Sequence, residues 1–374
     1  MELLNATGMQ AGYTLGLEPD GRERMVVVIK GTFALPLKEN AELSLAPEQI
    51  PLVMADEYEG EPGLSAVLYE SDFAYFKPRC DVLLNGQAYA PQGREVTRLT
   101  VSMAVGSWSK SFDVVGDRWW LQNASSVMPT APQVFATKPI SYAAAFGGVD
   151  ADPANPENQE AYPQNPIGRG YYPFARQKDL QGKPLPTTEE SGNPVTSPVG
   201  PFNPMSFGPV GRNFSSRYKF AGTYDQDWID NVFPFLPADF NPLYFQVAPA
   251  DQQIAHPQGG ELVRLVNLSQ AGRISFQLPA IRVPVEFSTR KLERTTQNAL
   301  LDTILIELDL GRVMLTWRAS TPLKKNMLEI AQVVAGRMSP GWYRAREMGK
   351  TYYPSLAHLE QETRSQASES EEEA

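Results

Sequence analysis

Apolar and polar residues alternate with period two along most of the patterned stretches of this chain. Leu99, Val101, Met103 and Val105 are separated by Thr100, Ser102 and Ala104, so one face of an extended segment is apolar. Gly106-Ser107 interrupts the pattern as a turn would, and Phe112 and Val114 resume it, which predicts a β-hairpin. The design returns at 262–268, with Ala271-Gly272 as the turn and 274–278 as the returning strand, and runs on through Ile281, Val283, Val285 and Phe287. It returns again where Ile304, Ile306 and Leu308 lead through Leu310-Gly311 to Val313, Leu315 and Trp317. That register puts Trp317 on a buried face. Met25-Val26-Val27-Val28-Ile29 is apolar at every position, as a strand covered on both faces must be.

Helix is scarce. Residues 224–232 can make two turns around Trp228 and Ile229, and 328–334 reads equally well as helix or strand. Twelve of the 32 prolines fall between Gly147 and Gly211. Proline lacks the amide that a sheet ladder needs, so this stretch is neither sheet core nor long helix. It also holds Tyr162, Tyr171, Tyr172, Phe174, Phe202 and Phe207, which a disordered linker would lack. The expectation is an ordered, irregular excursion packed over the sheets by its aromatics.

The predicted fold is therefore mainly β, with antiparallel sheets in a sandwich-like arrangement, a long proline-rich irregular middle and few short helices. Residues 1–360 form a single domain: β-rich 1–135, irregular 136–258, β-rich 259–335 and a C-terminal segment 336–360. The rest, 361–374, ends in Glu371-Glu372-Glu373-Ala374 and reads as an acidic, disordered tail.

Charge narrows the function classes. The 374 residues carry a formal net charge of -10, with lysines and arginines scattered, which disfavours a surface that tracks phosphates. Nucleic acid is not an expected partner. No apolar run approaches the roughly 20 residues of a membrane span, and the start shows no cationic leader before an apolar stretch, so neither a membrane nor export is expected. The single Cys80 excludes an internal disulfide and reads as a small apolar filler. The expected location is the cytoplasm.

Candidate chemistry is thin. With two histidines, His256 and His358, and one cysteine, no zinc site of the usual Cys/His kind can form. Gly63-Leu64-Ser65-Ala66-Val67 lacks the second glycine of a nucleophile elbow, and phosphate-binding glycine loops are missing. Asp150, Asp152, Asn155 and Glu157 resemble a calcium loop, but Pro153 and Pro156 intrude and the turn glycine is absent. Asp225, Asp227 and Asp239 offer a carboxylate pair of the kind glycosidases use, a signal that any chain of this length provides. No catalytic residue, metal or cofactor is expected.

Several segments, in order along the chain, carry a resemblance. They are Met25 to Phe33, Lys77-Pro78-Arg79-Cys80-Asp81, Gly116-Asp117-Arg118-Trp119, Tyr142 with Phe146-Gly147-Gly148, and Asn165-Pro166-Ile167-Gly168. They continue with Phe207-Gly208-Pro209, Ala221-Gly222-Thr223-Tyr224-Asp225 with Trp228, Leu236-Pro237-Ala238-Asp239, Ala250-Asp251-Gln252-Gln253 and Leu315-Thr316-Trp317-Arg318. Together they are similar to an accessory family of bacterial type VI secretion, a former domain of unknown function encoded near VgrG spike and toxin genes. Ala143 and Ala144 stand where that family usually has a charged pair, and Gln246 where it has an asparagine.

The resemblance implies an adaptor or chaperone that binds a toxin effector and delivers it to the VgrG spike, without chemistry of its own. Tyr142, Phe146, Tyr171, Tyr172, Phe174, Tyr224 and Trp228 are the candidate partner-binding residues, centred on the stiff aromatic stretch 147–211. Gly147, Gly148, Asn165, Pro166, Gly168, Gly222, Thr223, Asp225, Pro237, Asp239, Asp251 and Gln252 are expected to be structural. Two other readings stand beside it: a carbohydrate-active or other hydrolase using carboxylates of the irregular middle, and a structural component of the secretion machine. The sequence fixes no oligomeric state.

Overall fold

A computed structural model describes residues 1–360 apart from positions 19, 124, 125, 292, 354, 356 and 359. The stretch read as an acidic tail, 361–374, lies outside the described residues.

The all-apolar run at Met25 to Ile29 sits inside strand Glu23–Ala34, buried on both faces. This strand lies within a seven-stranded sheet whose main order is Gln253–Ile254, Cys80–Leu84, Leu300–Glu307, Arg312–Pro322, Glu23–Ala34 and Gln10–Leu17. Ser44–Leu45 adds to it at Phe33 and Ala34. A five-stranded sheet runs Thr188–Glu189, Trp108–Val115, Arg98–Val105, Leu262–Val266 and Arg273–Gln277. A four-stranded sheet runs Glu2–Asn5, Ile330–Ala335, Pro284–Thr289 and Arg294–Asn298.

All three hairpins read from alternation are present: Val105 opposes Trp108, Val266 opposes Arg273, and Glu307 opposes Arg312. Pairing is mostly antiparallel, with Cys80–Leu84 running parallel to Leu300–Glu307 and Glu2–Asn5 parallel to Ile330–Ala335. Both larger sheets mix strands from the two β-rich stretches, whereas the two-stranded pairs Glu57–Tyr58 with Val67–Tyr69 and Trp120–Gln122 with Val127–Pro129 stay within the first. Side chains from all three sheets merge in one core, among them Val27, Ile29, Val82, Val101, Phe112, Phe276, Phe287 and Leu315. Trp317 is buried there with its ring centroid 6.2 Å from that of Phe33. The ambiguous stretch after Asn326 resolves into one short 3-10 turn, Met327–Glu329, followed by a strand.

The proline-rich middle builds a second, smaller core. Trp120, Phe146, Tyr162, Tyr171, Leu180, Leu185 and Val195 pack together, with Phe146 and Tyr162 edge to face at 5.0 Å. Asn165 pins the surrounding backbone by donating to the carbonyls of Tyr142 (2.8 Å) and Phe146 (3.0 Å). Gly147 is required beside it: its φ is 149°, and a Cβ there would lie 2.1 Å from the Asn165 carbonyl oxygen. Gly148 donates to that same carbonyl, and Gly168 packs against the Asn165 amide. No helix among the described residues is long and apolar enough to cross a membrane.

Candidate partner-binding surface

Three of the seven aromatics expected at a partner surface lie in the interior. Phe146 is fully buried, and Tyr142 and Tyr171 nearly so. Tyr142 packs edge to face on Phe214 at 5.3 Å, and the Tyr171 hydroxyl bonds the Glu160 carboxylate. Rings held this way cannot meet a partner without opening the fold. Tyr172 and Phe174 are half-buried; the Tyr172 hydroxyl donates to the Pro184 carbonyl, and the Lys183 ammonium sits 4.4 Å over its ring. The aromatics of 147–211 thus hold the excursion together, and the surface reading moves to the other two residues, Tyr224 and Trp228.

These belong to a loop that packs on itself. The Asp225 carboxylate accepts from the Trp228 amide at 2.9 Å and caps helix Gln226–Asn231, none of whose residues is buried. Trp228 is the hub. Its ring meets Tyr224 at 4.8 Å and Phe233 at 5.5 Å, both near perpendicular, and its indole N–H donates to the Phe235 carbonyl at 2.9 Å. At the neck, Asp239 accepts from the Thr223 amide (3.0 Å) and hydroxyl (2.8 Å), which holds its carboxyl below the usual carboxylate range. Gly222, at φ 86°, lets the chain turn against Pro237. Below the neck, the Asn241 amide donates to the Phe220 carbonyl. The arrangement is that of an Ω-loop, a closed excursion filled by its own side chains.

The filling is incomplete. Tyr224 is 51% exposed, Ile229 55%, Phe233 66% and Phe235 45%, with Tyr218 alongside at 69%. Four of these five apolar side chains fall within twelve residues on a braced loop, whereas isolated exposed apolar residues are ordinary. Ile229, Phe233, Phe235 and Tyr218 were absent from the sequence-based candidates. No local pattern marked them: Tyr224, Trp228, Ile229 and Val232 fall on one helical face, which a helix packed on a core would show as well.

The base under the loop is polar and rigid. Arg217, almost fully buried, forms a forked pair with Glu70 (2.5 and 2.8 Å) and donates to the carbonyls of Val210 and Tyr244. Arg212 reaches Asp56 at 2.9 Å and Glu70 at 2.9 Å. Burial opposes the Arg212 charge, but these carboxylates hold its pKa above the ordinary arginine value. Asp81, fully buried, binds the chain just after the loop: it accepts from the amides of Val247 and Ala248, from the Gln246 side chain, and from Lys77. Gln252 is also fully buried, donating to Val82 and Phe207 carbonyls and accepting from Lys110, which Asp251 pairs at 2.9 Å. Pro166, half-buried, extends the Asn165 corner.

A cleft of about 680 Å³ opens beside Lys110, Tyr142, Phe214, Ser215 and Asp251. Burial lowers the Lys110 pKa, with Asp251 opposing that shift. The carboxylates considered for calcium sit in a hairpin, where Asp150 accepts from the Phe174 amide and Lys183, and Asp152 from the Ala154 amide. Among the described residues no three His, Cys, Asp or Glu side chains gather as a metal site. His256 lies against the Leu301 carbonyl at 3.0 Å, and burial pushes the Cys80 thiol pKa up.

The profile of a family described as an uncharacterized protein conserved in bacteria, DUF2169, matches residues 20–318. The chain belongs to this family. The DUF2169 match spans the exposed loop, its neck and the polar base, along with most strands of the two larger sheets. Strands Glu2–Asn5, Gln10–Leu17 and Ile330–Ala335 lie outside it. Neither a curated protein nor a solved structure matches the chain.

Proposed function

We propose that the protein is a cytoplasmic adaptor of type VI secretion that holds a toxin effector and assists its loading onto the VgrG spike. One observation carries the reading: the self-packed loop 223–239 leaves Tyr224, Ile229, Phe233 and Phe235 exposed on a rigid mount. A loop already ordered loses little entropy on docking, and aromatic side chains are the commonest anchors of protein interfaces. The link to type VI secretion rests on the sequence resemblance set out above. The carboxylates that a hydrolase would need from this region serve as the helix cap at Asp225 and the neck clasp at Asp239.

The test is co-expression with the toxin and VgrG genes that this reading expects to be encoded alongside, followed by co-purification. Wild type should retain the toxin, and Ile229→Ser with Phe233→Ser should lower recovery about tenfold or more while leaving the melting temperature nearly unchanged. Failure of the wild type to retain any neighbouring toxin or spike protein refutes the adaptor reading. Full retention by the folded double variant moves the interface away from the loop.

A further inference from the structure

The cleft of about 680 Å³ beside Lys110 and Asp251 is lined by buried donors that the fold leaves unspent. Tyr142 is 4% exposed, with its ring against Phe214. A flat partner surface cannot reach that ring, but the residue borders the cleft, and one side chain entering there can reach its end. The Tyr142 hydroxyl bonds no described residue and is not sealed from solvent. Burial raises its pKa, and the Asp251 carboxylate on the same cleft raises it further, which places the O–H on the cleft side. A phenol kept protonated in this way is a donor without an acceptor. Lys110 is the second such group. It is 8% exposed, and Gln252 at 2.6 Å and Asp251 at 2.9 Å hold its ammonium, two partners for three N–H donors.

The charges decide what enters. Lys110 and Lys219 balance Asp251 and Glu190, the only charged residues along the cleft. A carboxylate would lie beside Asp251 and an ammonium beside Lys110, and each would be repelled. A neutral amide would not. Its carbonyl can take the Tyr142 O–H and the spare Lys110 N–H, and its N–H can donate to Asp251, whose side chain stays 58% exposed beyond Lys110. A sugar also offers donors and acceptors, but the rings of Tyr142 and Phe214 are too deeply buried to give it a face to stack on. Met205, Val210 and Pro204 supply apolar wall instead, which suits the aliphatic stem of a side chain. We propose that the cleft receives a carboxamide side chain, Asn or Gln, from an extended segment of a partner polypeptide, with its carbonyl on Tyr142 and Lys110 and its N–H on Asp251. The proposal does not depend on the loop 223–239 being a docking surface.

Alanine pentapeptides with acetyl and methylamide caps and Gln, Asn, Glu, Lys or Ala at the centre test it. Binding to the full-length protein is read from the ¹³C-methyl resonance of Met205, which lines the cleft. The Gln or the Asn peptide should displace that resonance at millimolar concentration and bind at least about fivefold more tightly than the other three. Tyr142→Phe keeps the ring on Phe214 and removes only the hydroxyl. It should weaken the preferred peptide about tenfold and leave the melting temperature unchanged, since the hydroxyl holds nothing within the fold. Asp251→Asn should strengthen binding of the Glu peptide at least about fivefold, because Lys110 loses its counter-charge. The inference is overturned if neither carboxamide peptide displaces Met205, or if the Glu, Lys or Ala peptide binds wild type as tightly. Undiminished binding by Tyr142→Phe also overturns it, and so does a fall of several degrees in that variant's melting temperature, which would assign the hydroxyl to the fold. A Glu peptide indifferent to Asp251→Asn overturns the charge argument and the choice of an amide with it.

Discussion

Asp81→Asn should be among the most damaging isosteric substitutions in the chain. The carboxylate is fully buried and takes four donors: Lys77 at 2.8 Å and the Val247 amide at 2.9 Å on one oxygen, Gln246 at 2.7 Å and the Ala248 amide at 3.1 Å on the other. An asparagine keeps one acceptor oxygen and turns an NH₂ group toward the two donors on the other side. Two hydrogen bonds to an anion disappear, at about 1.5–3 kcal/mol each, and Lys77 is left in the interior without its counter-charge. Breaking a buried pair from one side costs about 3–5 kcal/mol, and the two routes agree on roughly 4 kcal/mol. For a chain of this size, at about 2 °C per kcal/mol, the melting temperature should fall by roughly 8 °C. Urea denaturation followed by tryptophan fluorescence gives the free energy, and calorimetry gives the temperature. Because Asp81 holds the segment that leaves the loop, toxin recovery should drop too, although residue 81 lies outside the exposed patch. A loss below about 1 kcal/mol would mean that water reaches this carboxylate, and the account of the loop's rigid base would fail with it.

Trp317→Ala should cost about 3–5 kcal/mol in the same urea assay, since the ring is buried against Phe33; a normally stable variant would place the ring at the surface. Tyr171→Ala with Tyr172→Ala should lower stability before it touches binding, because Tyr171 belongs to the small aromatic core; a stable double variant that no longer retains toxin would return the interface to 147–211. Asp56 also predicts a pH limb. Burial alone would raise its carboxyl pKa, but hydrogen bonds from Arg212 and the Ser71 amide lower it below 3.8. Its contribution is therefore fully present above about pH 4 and is lost as pH falls through the lower folded value. The urea midpoint measured from pH 5 to 2 should show that loss, and Arg212→Met should reduce it; an unchanged acid limb would refute the assignment.

The sheets were legible because their information is local. Alternation at 98–105 and 262–268, interrupted by a turn, needs nothing from elsewhere in the chain to be read. Which strands become neighbours was not legible. The parallel pairing of Cys80–Leu84 with Leu300–Glu307 depends on residues more than 200 positions apart, and no local pattern encodes it. That three of the seven candidate aromatics are interior was hidden for a related reason. Tyr171 and Phe233 are both large, apolar and near prolines, and composition cannot tell which will find a partner within the fold. Tyr171 does, through Glu160 and the rings of Phe146 and Tyr162. Phe233 packs on Trp228, itself on the loop, and stays 66% exposed.

At this loop most residues that carry the resemblance build the mount, although Tyr224, one of them, also faces outward. Gly222, Thr223, Asp225, Pro237 and Asp239 build the neck and the helix cap; each answers to backbone geometry or to a backbone donor. Substituting one of them changes the shape of the mount whatever the partner is. Ile229 and Phe233 answer to no such constraint, since each is more than half exposed, whereas Phe235 is 45% exposed with its ring against Gly21. A mount set by motif residues with free choice at the tip is what a family needs if its members carry different cargoes on a shared fold. On the adaptor reading proposed above, partner choice would lie in side chains that the fold does not require, and the exposed ones here are largely aromatic.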